Sequence, residues 1–559
     1  IATGERPNVI LIVTDDQGYG DMSCHGNPWL ETPNLDRLES QSVSLNDYHV
    51  DPYCTPTRAS LLTGRWNLRT GAWHVIQGRQ LMYESETTVA DLFQSSGYTT
   101  AMFGKWHLGD QYPYAPQYRG FDHVVCHKAG GVNEIGNPFG NDYFDDTYFR
   151  NGKPESLDGY CTNVWFDEVD KFITQEATKD EKPFFVYLAT NAMHSPFTVA
   201  EKYSEPFMKM GVPKDRSVFY GMIANFDENL GRLLGRLDEL ELSEDTVVIF
   251  MGDNGTAAGA TGTKESTDGF NAGMRGWKGS MYEGGHRVAC FARWPNQFPA
   301  GKKIESLTAH VDWLPTLAKI CGLSIPENLT IDGRNILSLL TGGQDNWPDE
   351  RTLLFERQKH KLTEFNAAED KGQIAVLTEK WRLVHGELYD IAEDPGQKNN
   401  LASKHPDVVK ELASRHQSWF RDVTSHNGHY APFIVGGDEH RSTTLTVRDW
   451  MPTEGHVIWR QEQLGDEKRN INGFWAIKPA MPGKYQIRLS RFPSDHVQPM
   501  SATEARIKVG PKTFTKSCLA SDSSVNFEVE LEAKSTTLQT WLTNKKAGTQ
   551  RGAYFVEIQ

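Results

Sequence analysis

Three continuous apolar runs in the first half of the chain predict a buried sheet. They occupy residues 8–13, 183–188 and 246–251, and unbroken runs of this kind are typical of strands that are covered on both faces. Segments with apolar residues at helical spacing lie between them, most clearly at 219–240, and another helix is predicted to begin at Thr88. Strands that alternate with helices predict an α/β domain whose large, mostly parallel sheet is sandwiched by helices.

The pattern changes twice in the second half of the chain. Residues 373–377 and 381–384 predict a hairpin, and 406–423 predict an amphipathic helix that packs on a small antiparallel sheet. From about residue 436, short segments alternate with period two between turn residues, which predicts a β-sandwich. We therefore predict three regions. The first is an α/β domain at 1–345, the second an α+β subdomain with a four-stranded antiparallel sheet and a helix at 346–435, and the third an extra β-sandwich at 436–559.

Net charge, the length of the apolar runs and the cysteine spacing limit the kinds of partner that the protein can bind. The chain has 559 residues and a net charge of -15, which argues against nucleic acid and means that an anionic substrate must be captured by a local cluster of cations. No stretch approaches the roughly 20 apolar residues of a membrane span. Besides Cys54, six cysteines remain, and they show no metal-type spacing and leave the pairing open.

Polar residues follow each of the three apolar runs directly. Asp15 and Asp16 follow the first, His194 the second, and Asp253 and Asn254 the third. Ligands of parallel sheets bind at the carboxyl ends of the strands, and carboxylate and amide oxygens suit Ca²⁺ or Mg²⁺. Either acidic pair alone would be interpreted as a helix cap or a turn, so the candidate metal site depends on the clusters acting together.

The string Cys54-Thr55-Pro56-Thr57-Arg58 predicts a reactive helix start. Pro56 suits the first helical turn and Gly64 suits a helix end. Cys54 and Arg58 are four residues apart, so both can lie on one face in an electropositive environment. A buried cysteine beside a surface arginine would be the simpler interpretation of this string alone.

This string resembles the signature of the formylglycine-dependent type I sulfatases, a family of the alkaline phosphatase superfamily. Residues 104–109 match the family's Gly-Lys-Trp-His-Leu-Gly string letter for letter, and residues 276–285 resemble its Lys-Gly-x-x-x-Glu-Gly-Gly block. The segment 387–402 is similar to one in the C-terminal subdomain of sulfatases. The resemblance covers about residues 7–425 and implies a sulfatase, with a bacterial polysaccharide sulfatase as the leading interpretation.

The resemblance implies that a formylglycine-generating enzyme oxidises Cys54 to formylglycine, whose hydrate is the nucleophile. It implies a divalent cation, most often Ca²⁺, with Mg²⁺ as the alternative. Arg58 is expected to hold the diol oxygens. The implied metal ligands are an oxygen of modified Cys54 together with Asp15, Asp16, Asp253 and Asn254.

Five side chains receive roles in the reaction from the same resemblance. Asp253 is expected to accept the proton of the attacking hydroxyl. Lys105, Lys278 and His194 are expected to surround the sulfate, and His194, aided by Lys278, to protonate the departing alcohol. His107 is expected to deprotonate the remaining hydroxyl, which expels sulfate.

The substrate is predicted less directly. The candidate substrate residues lie in or beside the motif loops, and each is as readily structural; they are Trp73, His74, Arg79, Trp106 and Arg275. The aromatic groups and the added sandwich favour a sulfated polysaccharide or oligosaccharide, handled by a periplasmic or secreted monomer or small homo-oligomer whose leader has been removed. A phosphonate monoester or phosphodiester hydrolase of the same superfamily, and a non-catalytic protein that binds sulfated glycans, are the alternatives.

Overall fold

The computed structural model describes residues 6–179, 182–260, 269–343, 347, 350–357, 373–425, 430–437 and 440–559. The predicted boundary at 345–346 and the chain start at 1–5, on which the prediction of a removed leader depends, lie outside these residues. Within the described part, none of the helices is long and apolar enough to cross a bilayer.

The first region alternates strands and helices as predicted. Its strands are β1 (Asn8–Thr14), β2 (Val43–Leu45), β3 (Tyr48–His49), β4 (Thr99–Lys105), β5 (His123–His127), β6 (Thr147–Arg150), β7 (Lys153–Ser156), β8 (Phe184–Ala189), β9 (Thr246–Gly252), β10 (Cys290–Arg293), β11 (Lys303–Ile304) and β12 (Thr308–Ala309). Its helices are α1 (Pro33–Ser40), α2 (Cys54–Thr63), α3 (Asn67–Thr70), α4 (Val89–Ser95), α5 (Cys161–Lys179), α6 (Glu201–Lys209), α7 (Lys214–Glu239), α8 (Glu283–His286), α9 (Trp313–Cys321) and α10 (Leu337–Leu340).

A ten-stranded sheet forms the centre of this region, in the order β11-β2-β10-β9-β1-β8-β4-β5-β6-β7. The strands predicted from the apolar runs, β1, β8 and β9, are neighbours and run parallel. Antiparallel pairs occur toward the edges, where β10 meets β9 and β2 and where β6 meets β5 and β7. The prediction of a large, mostly parallel sheet is confirmed.

The two faces of the sheet carry separate hydrophobic cores. On β1, Val9, Leu11 and Val13 belong to one core with α2, α4 and α9, whereas Ile10 and Ile12 belong to the other with α1, α5 and α7. This alternation follows from the two-residue period of a strand. Because both faces are covered by helices, the polar groups of the sheet are confined to the strand ends.

The second region is a four-stranded antiparallel sheet with one long helix, as predicted. Strands β13 (Leu353–Arg357), β14 (Gln373–Leu377), β15 (Trp381–Val384) and β16 (Glu387–Asp390) pair in that order, and α11 spans Pro406–Val423. Leu412 of the helix packs with Leu354, Val376, Leu383 and Leu388 of the sheet. The hydrophobic face of the amphipathic helix therefore covers one face of the sheet.

The third region is a sandwich of two sheets. Its strands are β17 (Phe433–Val435), β18 (Thr443–Thr446), β19 (Met451–Glu454), β20 (Asn472–Pro479), β21 (Gly483–Ser490), β22 (Glu504–Val509), β23 (Lys512–Ser517), β24 (Ser524–Leu531), β25 (Thr536–Asn544), β26 (Thr549–Arg551) and β27 (Phe555–Ile558). A seven-stranded sheet contains β17, β19, β20, β22, β23, β25 and β26, and a four-stranded sheet contains the rest. Both contribute to one hydrophobic core. Strand β17 precedes the predicted boundary at 435–436 yet pairs with β20, and the boundary itself stays a prediction.

Each C-terminal region contacts the first through buried polar groups. Arg382 of β15 donates to Glu283 Oε1 at 2.7 Å and to both carboxylate oxygens of Asp47, at 2.9 and 3.1 Å. In the third region, the turn Val447–Asp449 lies against the loop after α3, where Gln80 donates to Asp449 Oδ1 at 2.6 Å. The two C-terminal regions therefore approach the first region at different places.

Candidate active site

The register of two parallel strands brings the acidic pairs together. Thr14 of β1 lies beside Gly252 of β9, so the residues that follow each strand are neighbours. The Asp16 backbone N–H donates to Asp253 Oδ1 at 3.1 Å, and Asn254 Nδ2 donates to Asp16 Oδ1 at 2.9 Å. Asp15 and these three residues are almost fully buried. Pairing alone therefore builds the oxygen-rich pocket that the strand ends predicted.

Helix α2 carries Cys54 into this pocket. It begins at Cys54 and ends at Gly64, whose φ of 65° is readily adopted by glycine and whose N–H donates to Ser60 O. All ten helix residues are buried. Cys54 Sγ and carboxylate oxygens of Asp15 and Asp253 lie within 4.8 Å of one another. The predicted helix start is confirmed, and the structure places its cysteine against both acidic pairs.

Three cations neutralise the three carboxylates of the pocket. Lys105 Nζ donates to Asp15 Oδ2 at 2.6 Å, and Lys278 Nζ lies 2.6 Å from Asp16 Oδ1. The remaining carboxylate, Asp253, accepts from Arg58 Nη2 at 2.8 Å and Nε at 3.1 Å. Buried charges are tolerated only when they are paired and hydrogen-bonded. One-to-one pairing therefore allows six charged side chains to share one enclosed site.

The glycine before Lys105 has a steric purpose. A Cβ atom at Gly104 would lie 2.1 Å from the carbonyl oxygen of Ala189, and the φ of Gly104 is +103°. Only glycine lets β4 approach β8 this closely in that conformation. The first residue of the Gly-Lys-Trp-His-Leu-Gly string thus allows Lys105 to reach the pocket at the end of β4.

The carboxyl groups of Asp253 and Asp16 have different pKa values because their surroundings differ. Burial raises the pKa of Asp253 to about 6, and the neighbouring Asp15 acts in the same direction. Burial alone would also raise the pKa of Asp16, but Lys278 and His194 outweigh it and hold this pKa below its usual range. Asp253 is therefore closer than Asp16 to binding a proton near neutral pH.

Two histidines face the pocket. His107 Nδ1 lies 3.4 Å from Cys54 Sγ, and the Thr55 hydroxyl donates to the His107 carbonyl at 3.1 Å. His194 Nδ1 lies 2.7 Å from the Ser195 carbonyl, so it carries the proton and leaves Nε2 for a ligand. Burial lowers the pKa of His194 to about 4 and that of His107 well below its usual value. Both rings are therefore neutral at pH 7 when no anion is bound.

The pocket suits a hard divalent cation. Among the described residues, Asp15 Oδ1 and Asn254 Oδ1 are buried and have no hydrogen-bond partner. Such orphaned acceptors are costly unless something else binds them, and oxygen-only donor sets favour Ca²⁺ or Mg²⁺. The residues present therefore fit a cation of this class.

A second group of potential metal ligands is better explained as an internal network. His49, Glu283 and His286 offer atoms that lie within 4.8 Å of one another. However, the two imidazoles are 2.9 Å apart at Nδ1, and Arg382 already neutralises Glu283 at 2.7 Å. A guanidinium at this distance opposes a divalent cation.

The candidate substrate residues are dispersed. The His74 ring lies 6.1 Å from the ring of Tyr53, which precedes Cys54. Trp73 is buried, with the Arg79 guanidinium 5.0 Å from its ring. Arg275 lies 3.7 Å over the Tyr282 ring and donates into the second region, to the Tyr389 hydroxyl and the Gln397 carbonyl. Trp106 is buried and donates to the Tyr114 carbonyl at 2.9 Å. Their role in substrate binding stays a prediction.

One residue of the site has no counterpart in the sequence reasoning. Arg448 Nη2, in the third region, lies 2.6 Å from His107 Nε2. The two residues are separated by 341 positions, and no motif surrounds the arginine. No signal in the sequence could have identified this contact.

Comparisons with known proteins agree on one family. The sulfatase family model matches residues 7–323, and a model described as N-sulphoglucosamine sulphohydrolase, C-terminal, matches 273–421. Human arylsulfatase A is 30% identical over 468 residues, covering 74% of this chain and 87% of that protein. Human N-acetylgalactosamine-6-sulfatase is 30% identical over 361 residues, covering 61% and 67%.

Solved structures share the fold. The crystal structure of Ps i-CgsB in complex with k-i-k-neocarrahexaose superposes with a TM-score of 0.66 at 26% identity, covering 76% of this chain and 95% of that chain. The phosphonate monoester hydrolase of Agrobacterium radiobacter superposes with a TM-score of 0.55 at 20% identity, covering 75% and 96%. The fold alone therefore does not separate sulfate from phosphonate chemistry.

Proposed function

Because the chain belongs to the sulfatase family, and is therefore an enzyme that hydrolyses sulfate esters, we propose that it removes sulfate from a sulfated carbohydrate. The proposal includes a formylglycine made from Cys54 and a divalent cation held at the strand ends. The observation that supports it most is the position of Cys54. It begins a buried helix within 4.8 Å of two carboxylates, each of which has its own cationic partner.

The cation would be held by Asp15, Asp16, Asp253 and Asn254, together with residue 54. When bound, it supplies positive charge to the sulfate oxygens and polarises the bond to sulfur. We propose Ca²⁺ over Mg²⁺, because buried carboxylates from two strand ends offer several oxygens without demanding octahedral geometry. A thermal melt of chelated protein tests this. Ca²⁺ should raise the melting temperature more than Mg²⁺ does, and an unchanged melting temperature with both ions would refute the site.

The formylglycine made from Cys54 is an aldehyde, and addition of water to it gives the gem-diol whose oxygen attacks sulfur. We assign Asp253 to accept the proton from residue 54, because its carboxylate lies within 4.8 Å of the side chain of residue 54. Arg58 holds Asp253 in place with two hydrogen bonds. His107 contacts residue 54 through Nδ1, and we assign it to the release of sulfate.

We assign Lys105, Lys278 and His194 to the sulfate itself. A bound sulfate would compete with Asp15 and Asp16 for the two ammonium groups, and fixed cations in a site closed to water stabilise charge on the sulfate oxygens. His194 presents Nε2 to the pocket because Nδ1 is engaged with Ser195. The negative charge of the substrate favours the imidazolium, which can then protonate the departing alcohol.

A carbohydrate is the substrate class that the relatives support. One relative is named for N-acetylgalactosamine-6-sulfate, and the complexed neighbour binds a neocarrahexaose. We propose a sulfated polysaccharide or its oligosaccharides. His74 is the leading contact residue because it lies beside Tyr53, whereas Trp73, Arg79 and Arg275 are secondary candidates. Turnover of a panel of sulfated oligosaccharides, compared in wild type and His74→Ala, would show whether this loop selects the sugar.

The second candidate is hydrolysis of phosphonate monoesters or phosphodiesters, which the shared fold of the Agrobacterium enzyme favours. Paired aryl sulfate and aryl phosphodiester substrates distinguish the two. The protein should be made together with a formylglycine-generating enzyme, and peptide mass spectrometry should confirm that Cys54 is converted. Faster turnover of the sulfate is expected, and a preference for the phosphodiester would overturn the proposal. The sulfatase relatives argue against the non-catalytic alternative.

We further propose a periplasmic or secreted monomer or small homo-oligomer that meets a formylglycine-generating enzyme during maturation. The substrate class supports this location, because polysaccharides are degraded outside the cytoplasm. Light scattering on the purified chain tests the oligomeric state, and an assembly larger than a tetramer would contradict it.

A further inference from the structure

Arg448 brings the third region into the active site. It lies in the turn Val447–Asp449, between β18 and β19, and its side chain is only 2% exposed. Its Nη2 lies 2.6 Å from His107 Nε2, on the opposite side of the imidazole from Cys54. A chain of contacts therefore joins the third region to residue 54 through one histidine ring.

The guanidinium lies beside two carboxylates, although its Nε makes no hydrogen bond among the described residues. Its Nε lies 3.2 Å from Glu134 Oε2, and its Nη1 lies 3.8 Å from Asp110 Oδ2. The backbone of the turn is fixed as well, because the Gln77 N–H donates to the Arg448 carbonyl at 3.0 Å. A buried arginine with two acidic neighbours and an anchored backbone has little freedom to move away from His107.

The contact decides which nitrogen of His107 carries the proton. A guanidinium has five N–H donors and no acceptor, so His107 Nε2 must accept at 2.6 Å and the proton of the neutral ring must be on Nδ1. The Val75 carbonyl is also 3.0 Å from Nε2 and would accept from the other tautomer. Arg448 Nη2 lies 3.3 Å from the same carbonyl, so its two hydrogens can serve both acceptors.

We propose that Arg448 is a positioning residue that holds His107 in the tautomer with its proton on Nδ1, directed at residue 54. In this tautomer His107 donates a hydrogen bond to residue 54 and stabilises negative charge on an oxygen there. The base role that the sequence predicts for His107 is then replaced by that of a donor, and the proton of the remaining hydroxyl goes to the adjacent Asp253, once Asp253 has passed the proton of the attacking hydroxyl to solvent. The effect of this tautomer on catalysis rests on the proposed function. The proposal also makes the third region part of the active site.

The first test observes the tautomer directly and needs no activity. Protein with unmodified Cys54 and ring-¹⁵N-labelled histidine is studied by long-range ¹H–¹⁵N correlation, and His107 is assigned by difference from His107→Gln. We expect a protonated Nδ1 and an unprotonated Nε2 at neutral pH. A protonated Nε2 in the wild-type protein would overturn the proposal. Because this reads the wild type, it holds even if an Arg448 variant fails to fold.

The second test separates positioning from folding. Arg448→Met and Arg448→Lys are compared with Arg491→Met, which removes an equally buried arginine of the third region that bonds to Leu464 instead. We expect Arg448→Met to lower kcat by about 100-fold with KM within about 3-fold of wild type, Arg448→Lys to recover part of the loss, and Arg491→Met to retain wild-type kcat. Wild-type kcat in a folded Arg448→Met variant would refute the proposal.

The two proposals fail in different ways. If the converted wild-type enzyme hydrolyses no sulfate ester, the proposed function is wrong, whereas the NMR measurement still decides the tautomer. If the wild type is active and the Arg448 variants match it, the proposed function stands and the positioning role is wrong.

Discussion

Arg382 of the second region and Arg448 of the third are both buried against the first region, with different consequences. Arg382 of the second region pairs with Asp47 and Glu283, whose bonds lead into a network of buried histidines. Arg448 of the third region meets His107, which contacts Cys54. The cost of burying a guanidinium is similar in the two places. Under the positioning role proposed for Arg448, the partner of a buried charge, and not its burial, decides whether a region affects stability or chemistry.

The largest expected effect is the loss of turnover when Cys54 is replaced, and the effects of the two arginine variants are compared with it. Cys54→Ser, in protein whose peptide mass shows the serine unconverted, should reduce turnover of an aryl sulfate to background, because an unconverted serine is not the aldehyde whose hydrate supplies the nucleophile. The change replaces one buried atom, so the thermal unfolding curve should stay close to that of wild type. Normal turnover in this variant would exclude the aldehyde mechanism. The contact of Arg448 with His107 would then have no known link to the chemistry.

Lys105→Ala is expected to be the next most severe change. It removes a fixed cation from the sulfate pocket, which should lower kcat by about 10³-fold. It also leaves Asp15 buried without its partner, which should cost about 3–5 kcal/mol of unfolding free energy, measured by urea denaturation with a chelator present.

Lys278→Ala is the matched variant. Lys278 makes an ion pair of the same length, but its own side chain is 19% exposed. It should show a comparable loss of kcat with a smaller loss of stability. Equal losses of stability in the two variants would show that enclosure of Lys105 does not matter.

Arg382→Met tests whether the second region affects stability without affecting turnover. Loss of the guanidinium leaves two buried carboxylates unpaired and should cost about 3–5 kcal/mol of unfolding free energy, while kcat below the melting transition stays within about 3-fold of wild type. Arg37→Met is the control, because its side chain is 42% exposed and pairs with Asp238, which is 48% exposed, and it should cost less than about 1 kcal/mol. A large fall in kcat for Arg382→Met would mean that the second region also supports the chemistry.

The smallest effect concerns Asp449, beside Arg448. Burial raises the pKa of Asp449 to about 6, although Arg448 opposes this. Since the folded pKa lies above the unfolded value, its contribution to stability is fully present below about pH 4 and is lost as pH rises through about 6. Asp449→Asn should remove up to ~3 kcal/mol of this pH dependence. Denaturation at pH 4 and pH 7 measures it, and an identical pH slope in both proteins would contradict the assignment.

Most of the site could be predicted from sequence because its groups follow strands. The runs before Asp15, His194 and Asp253 are apolar enough to predict parallel strands, and their shared edge brings the polar residues together. The helix start at Cys54 was equally predictable from Pro56 and Gly64. Arg448 was not, because its contact depends on how the sandwich packs against the loop after α3. The order and direction of the strands near the sheet edges, such as antiparallel β10, also depend on tertiary packing. The hydrophobic pattern of the sequence does not indicate them.

The burial of Cys54 restricts when the protein can acquire its chemistry. With Cys54 2% exposed and every residue of α2 buried, a modifying enzyme cannot reach the thiol once the first region has closed. Gly343, the last described residue of the first region, leaves the ribosome roughly 290 residues after Cys54, an interval of about 15–60 s at ordinary rates of synthesis. We therefore expect oxidation to compete with folding during this interval, so that the speed of synthesis determines what fraction of the molecules becomes active.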